Sequence, residues 1–169
     1  EASSNLARFD GIKFGHRSEN GGNFAELISN SRSEGFGWEV KRRIMLGNYA
    51  LSSGYYDEYY GKALSAKYKI CEEYENIFEK CDVILTPTAP TAAYAIDEDN
   101  SDPKKMYRAD LCTAAVNLAS LPAISTTCGY DKNGMPVGMS LTGRKWDEST
   151  IIQAADAFEK SFVRRNVCL

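Results

Sequence analysis

Arg43 and Asp110 are the residues of this sequence whose types are complementary to an amino acid. A guanidinium can clamp an α-carboxylate with two parallel hydrogen bonds, and a carboxylate can hold an α-ammonium group. They stand in the blocks SRSEGFGWEVKRRIMLGNYALSSGYYDEYY and DPKKMYRADLCTAAVNLASLPAIS. Each also has a plainer reading. An arginine on a helix usually lays its stem on the surface with its head in water, and an acidic residue at a helix start usually serves the dipole or caps the first turn. Arg43 shares its stretch with Val40, Ile44 and Gly47, the expected inner face of a helix, where a charge without a partner would be costly. Spacing alone leaves both readings open for both residues.

Other reactive settings are poor. Ser52, Ser53, Ser125 and Ser140 occur in no GxSxG elbow and beside no plausible base, so they read as caps and strand residues. Asp97, Glu98 and Asp99 fall in a polar loop and read as solvated carboxylates, and neither a GxxxxGK[ST] nor a GxGxxG element occurs. Cys71, Cys81, Cys112, Cys128 and Cys168 lack CxxC spacing, and His16 is the single histidine that could join them in a metal site. No metal is expected, and the thiols are expected to be reduced. A cysteine nucleophile would need His16 as its base, yet His16 lies in GHRSENGGN, an expected exposed loop. Tyr55, Tyr56, Tyr59 and Tyr60 place four phenols at a helix start, where they could line a substrate tunnel or pack at the rim of a core.

The elements that must position these residues alternate between helix and strand. RFDGIKFG reads as a short strand or extended segment, followed by a loop and a small helix over Phe24 to Ser29. The spacing of Val40, Ile44, Gly47 and Leu51 predicts a helix from Trp38 that closes near Ser52-Ser53-Gly54. A longer helix is expected from Tyr55 to Lys80, burying Tyr56, Tyr60, Ala63, Ile70, Tyr74 and Ile77, with Lys67 as a polar interruption. CDVILT, residues 81–86, lacks alternation and reads as a strand covered on both faces. A helical segment follows over Met106 to Leu118. Strands are expected at Ala123 to Cys128 and Val137 to Thr142, joined by a turn in which Asn133-Gly134 supplies positive φ. A last helix, Glu148 to Val163, should carry Ile151, Ala155, Phe158 and Phe162 inward behind a start favoured by Asp147 and Glu148.

The chain has 169 residues, 43% of them hydrophobic and 25% charged, which is enough for one domain with a core. A net charge of −3 and a pI near 5.3 give no footprint for direct nucleic-acid binding, and Arg42-Arg43 and Arg164-Arg165 are too short to reverse that. No apolar run approaches the roughly 18 residues needed to span a bilayer, so no membrane contact is expected. Because it opens on Glu1 and the polar run EASSN, the chain is expected to be cut from a longer polypeptide.

The strings EASSNLARFDGIKFG, SRSEGFGWEVKRRIMLGNYALSSGYYDEYY, CDVILTPTAPTAA, DPKKMYRADLCTAAVNLASLPAIS and GMPVGMSLTGRKWDE closely resemble the C-terminal part of the amidase signature family. TPTAP and NLASLPAIS are widely shared there, whereas EASSNLARFDG and SRSEGFGWEVKRRI resemble the glutaminase subunits of its tRNA-dependent amidotransferase branch. The resemblance implies that residues 1–169 are the C-terminal portion of an amidase domain, α/β, with a mixed sheet flanked by helices. It also implies a Ser–cis-Ser–Lys triad in the missing N-terminal half. No GGSSGGS-like segment occurs here, so no catalytic residue is assigned and the isolated chain is expected to be inert. By the same resemblance, Arg43 matches the second arginine of the KRRI motif and binds the α-carboxylate of glutamine. Asp110 follows MYRA and holds the α-amino group. The implied reaction is glutamine hydrolysis, with ammonia passed to a partner subunit that uses ATP and Mg²⁺ to activate glutamate on misacylated tRNA. Subunits B and C are the implied partners, tRNA is met through the complex, and the compartment is the cytoplasm or an organelle matrix. Thr126-Thr127-Cys128 and Ser120 depart from the family pattern, Ser120 standing where glycine is common. A second amidase signature hydrolase acting on a small amide, or a non-catalytic interaction module, are the alternatives.

Overall fold

The polar string ASSNL forms a short helix. The computed structural model describes residues 1–96 and 103–162 and divides the chain into two units, Glu1–Ser65 and Ala66–Leu169. Expectations for Asp97, Glu98, Asp99, Arg164, Arg165 and Cys168 lie outside the described residues.

In the first unit, α1 (Ala2–Leu6) packs against α3 (Trp38–Ala50). Gly47 permits the approach: a Cβ there would come within 2.9 Å of the Ser3 Cβ. The Ser3 hydroxyl donates to the side chain of Asn48 nearby. The loop after α1 contains no strand, and it folds back onto α2 (Phe24–Gly35). Gly11 turns it at a φ of +79°, and a Cβ at this position would lie 2.5 Å from the Ser31 hydroxyl. Arg32 fixes the returning loop by donating to the carbonyls of Leu6 and Phe9 at 2.7 and 3.0 Å. α2 is longer than the sequence suggests. Its start is set by Asn23, whose side chain accepts from the Glu26 amide at 3.0 Å.

α3 has the bounds expected of it, and Val40, Ile44 and Gly47 are its half-buried face. The next helix differs in phase. A π-helical turn, Tyr56–Gly61, precedes α4 (Lys62–Phe78). Such a wide turn adds residues relative to 3.6-residue winding and rotates the downstream face. Leu64, Lys67, Ile70, Cys71, Tyr74 and Phe78 are therefore the covered positions on α4, whereas Tyr56, Ala63 and Ile77 are exposed.

The second unit is built on an antiparallel sheet of order β1-β3-β2, comprising β1 (Val83–Pro87), β2 (Ala123–Tyr130) and β3 (Pro136–Gly143). Leu85 pairs with Leu141 and Ile124 with Leu141 across it. One face carries Met139 and Leu141 onto α7 (Glu148–Ser161), where they meet Ala155 with Val83, Ile124 and Phe158 around them. Gly143 lets the helix come close, since a Cβ there would sit 2.6 Å from the Ile151 side chain. The described unit is thus α/β. Among the described residues β1 is an edge strand, and the expected cover on both faces is not found there: Leu85 remains 64% exposed. An unbroken apolar run does not say whether the layers that cover a strand's two faces lie within the same stretch of chain.

The hairpin between β2 and β3 turns at Gly134, φ +80°, with the Asp131 carboxylate accepting from the amides of Asn133 and Met135 at 2.8 Å each. Asp147 caps α7 through the Thr150 amide, as its place in the sequence suggested. Between the strands lie α5 (Pro103–Ala109), a 3₁₀ turn (Asp110–Cys112) and α6 (Ala114–Ala119) in place of one continuous helix. α6 closes on Ser120 in the left-handed region, φ 57° and ψ 45°. That conformation is free of Cβ strain only for glycine.

Candidate functional site

Arg43 leaves the inner face of α3 and stands with its side chain 49% exposed. It does not face the desolvation cost expected for a charge placed among Val40, Ile44 and Gly47. Its Nε donates to Glu39 Oε1 at 2.8 Å, one helical turn back. The same carboxylate takes both Nε and Nη2 of Arg42, at 2.8 and 2.7 Å. These bonds hold the carboxyl of Glu39 down at about 2, the Arg42 bond contributing most and the Arg43 bond next. Glu39 is the residue the sequence reading missed. The signal was present in WEVKRRI, where one acid precedes two arginines by three and four positions.

Asp110 opens the 3₁₀ turn of the second unit and is exposed. Its carbonyl, not its carboxylate, organises the turn, accepting from the Thr113 amide at 3.1 Å. Among the described residues its carboxylate holds no hydrogen bond and no ion pair, so the capping role anticipated for it is not found. Arg43 and Asp110 thus belong to different units, each presenting a charged head to solvent from its own short segment.

The tyrosines after α3 pack on one another. Tyr49 stacks on Tyr55 with ring centroids 4.5 Å apart, Tyr59 lies 5.9 Å from Tyr55, and Tyr56 lies 5.1 Å from Tyr60. The side-chain hydrogen bond between Tyr49 and Tyr55, which favours the protonated phenol, pushes Tyr49 above its ordinary range. An open hollow of about 320 Å³ between α2 and α3 is lined by Arg32, Phe36, Lys41, Ile44 and Met45, and does not include Arg43.

Of the weighed nucleophiles, Ser52 and Ser125 have structural occupations. Ser52 donates to the Tyr49 carbonyl at 2.8 Å, and the Ser125 and Thr88 hydroxyls pair across 2.8 Å. His16 meets Glu34 at 2.8 Å, and Glu34 also accepts from the Ser18 hydroxyl at 2.8 Å. The His16 bond first, then Ser18, lowers the Glu34 carboxyl below its usual range. Cys71, Cys81, Cys112 and Cys128 are free thiols. Among the described residues no cluster of three or more His, Cys, Asp or Glu side chains could hold a metal, and no helix is long and apolar enough to cross a membrane.

The family model described as Amidase matches residues 1–152, and the chain belongs to that family. Its curated relatives narrow the likeness. The chain is 56% identical over 161 residues to the A subunit of glutamyl-tRNA(Gln) amidotransferase from Brevibacillus brevis, covering 95% of this chain and 33% of that protein. It is equally 56% identical, over 162 residues, to the corresponding A subunit from Caldanaerobacter subterraneus, covering 96% of this chain and 33% of that one. The crystal structure of the Thermotoga maritima glutamyl-tRNA(Gln) amidotransferase A subunit matches with a TM-score of 0.59 at 43% identity, over 80% of this chain and 30% of that one. A bacterial aryl acylamidase of the amidase signature family matches at 0.63 with 16% identity, over 95% of this chain and 31% of its own, a likeness of fold alone. The chain spans about a third of the length of the curated relatives it matches.

Proposed function

We propose that this chain is the glutamine-reading portion of the glutaminase subunit of a tRNA-dependent amidotransferase. Arg43 takes the α-carboxylate of glutamine and Asp110 the α-ammonium group, so that the side-chain amide is presented to a nucleophile supplied elsewhere in the full-length protein. The observation that carries this reading is the state of Arg43. Its Nε is committed to Glu39 while its terminal nitrogens have no protein partner among the described residues, which leaves the end-on fork that a carboxylate accepts. Asp110 supports it as an exposed carboxylate without a bond of its own among the described residues.

The names of the relatives support an amidotransferase setting, and their greater length supports a triad outside this chain. Large apolar side chains left open, among them Trp38, Met45 and Leu85 at 78, 69 and 64% exposure, are surface that more polypeptide would cover. On this reading the chain alone has no glutaminase activity. Subunits B and C complete the enzyme, ATP and Mg²⁺ act there, tRNA is engaged through the complex, and the assembly works in the cytoplasm or an organelle matrix.

The test uses the full-length protein in its complex. Arg43→Ala should lower kcat/KM for glutamine by about a hundredfold, the scale of a lost bidentate charged contact, while transamidation driven by free ammonia is retained. Equal losses with both nitrogen donors would show that Arg43 supports the fold or a common step and does not read glutamine.

A further inference from the structure

We infer that Glu39 is a positioning residue for glutamine selection, acting only through Arg43; the inference rests on the reading of Arg43 given above. An exposed arginine samples many rotamers, and holding it for a ligand costs entropy at the moment of binding. Glu39 removes much of that freedom beforehand. It stands one turn before Arg43 on α3 and accepts from Nε at 2.8 Å, the one guanidinium nitrogen that an end-on carboxylate does not use.

The arrangement is specific because Glu39 is itself held. Arg42 grips both of its oxygens, Nε at Oε2 and Nη2 at Oε1, at 2.8 and 2.7 Å. The Arg42 side chain is the more covered of the two arginines, 23% exposed against 49% for Arg43. The order along the helix is therefore an anchor, a carboxylate locked by that anchor, and an outward arginine aligned by the carboxylate. Adjacent guanidinium groups would repel one another without the shared carboxylate. With it, Arg43 keeps its full charge and a set direction.

A surface ion pair with no such role would leave glutamine kinetics alone. The experiment is a double-mutant cycle in the full-length complex, with Glu39→Ala and Arg43→Ala alone and together, and with glutamine and ammonia as alternative donors. Glu39→Ala is expected to raise KM for glutamine about tenfold with kcat and ammonia use little changed, as a loss of preorganisation should. In the Arg43→Ala background the same substitution should change kcat/KM for glutamine less than about twofold, since nothing remains to be positioned. Glu39→Gln keeps one acceptor and the helix length, so its KM should fall between wild type and Glu39→Ala; it carries the test if the alanine variant does not fold.

A strong Arg43→Ala effect with no Glu39 effect, or a Glu39 effect of the same size in both backgrounds, would overturn the positioning role and leave the glutamine reading standing. An Arg43→Ala variant with unchanged glutamine kinetics would overturn the glutamine reading itself, and the role of Glu39 with it.

Discussion

The two units of this chain are held by different forces. Every buried apolar side chain among the described residues belongs to the second: Phe78, Val116, Ala119, Met139, Leu141, Ile151 and Ala155. In the first, the buried side chains are Ser18 and Ser31, at 4 and 2% exposure. The second unit is thus a small sandwich of sheet and helix stabilised by removing hydrocarbon from water. The first is a set of helices and a loop pinned by directed polar bonds from Arg32, Ser31 and Glu34. Hydrophobic burial tolerates change of pH, whereas polar bonds fix direction, which would suit the aiming of a guanidinium proposed for Arg43.

The sharpest way to break this contrast is to damage each unit at its own strongest point. Leu141 is 5% exposed between β1 and β2 and against α7. Leu141→Ala should destabilise the second unit by about 3 kcal/mol, from lost transfer energy plus the cavity left behind. Amide exchange in β2 and β3 should rise steeply while the amide of Ser18 in the first unit is little changed. Equal loosening of both amides would show that the two units share one cooperative core.

The reciprocal variant is Ser31→Ala. The Ser31 hydroxyl accepts from the Ser18 amide at 3.0 Å and donates to the Leu27 carbonyl at 2.6 Å, so its removal orphans a buried donor. The expected cost is about 1 to 2 kcal/mol, confined to the first unit and read as faster exchange at Ser18. A hydrophobic reading of this unit predicts no effect, since alanine fits the space.

The sequence made the two units unequally legible. β2, β3 and α7 could be read because apolar patterning, an Asn-Gly turn and an acidic cap all pointed the same way. α3 was readable for the same reason. α1 was not, because ASSNL, with Ala2 and Leu6 as its apolar residues, is too short to show a helical period and packs against α3. The open side of β1 was hidden, since a strand's neighbours are not written in the strand, and the π-helical turn shifted the face of α4 without leaving a periodic trace. At the site, Arg43 and Asp110 were visible as residue types, but their exposure was not. Glu39 was visible only as spacing, and its bonds to two arginines needed side-chain geometry to appear.

Ser120 is a smaller test within the better-read unit. Its left-handed conformation carries a Cβ cost of about 1 to 2 kcal/mol, which glycine avoids at the expense of greater freedom in the unfolded chain. Ser120→Gly should therefore raise stability by about 0.5 kcal/mol, and Ser120→Val should lower it, both read in thermal unfolding. A loss with glycine would mean that Ser120 contributes something beyond closing α6.

The smallest effect concerns pH and separates the units by their charges. Glu34 and Asp10 have carboxyls held below their ordinary range, and that of Glu39 is lowered to about 2; the leading causes are His16 for Glu34, the Ile12 amide for Asp10 and Arg42 for Glu39. Among the described groups with a resolved shift, the second unit has one such carboxyl, Asp147, lowered chiefly by Thr150. A carboxylate whose folded value is depressed contributes stability above its unfolded value, and that contribution is lost as pH falls through the folded one. The sign is therefore acid-side. Lowering pH from about 5 to about 3 should reduce amide protection at Ser18 more than at Leu141, once intrinsic exchange is corrected for pH. Glu34 is exposed and Asp10, Glu39 and Asp147 are only half-buried, so the difference should be modest and should shrink further in high salt. Glu34→Gln keeps an acceptor for Ser18 but removes the charge that His16 meets, and should flatten the acid response of the first unit. An unchanged acid response in that variant would place the sensitivity at Asp10, in the loop after α1, and at Glu39, on the helix that carries Arg43.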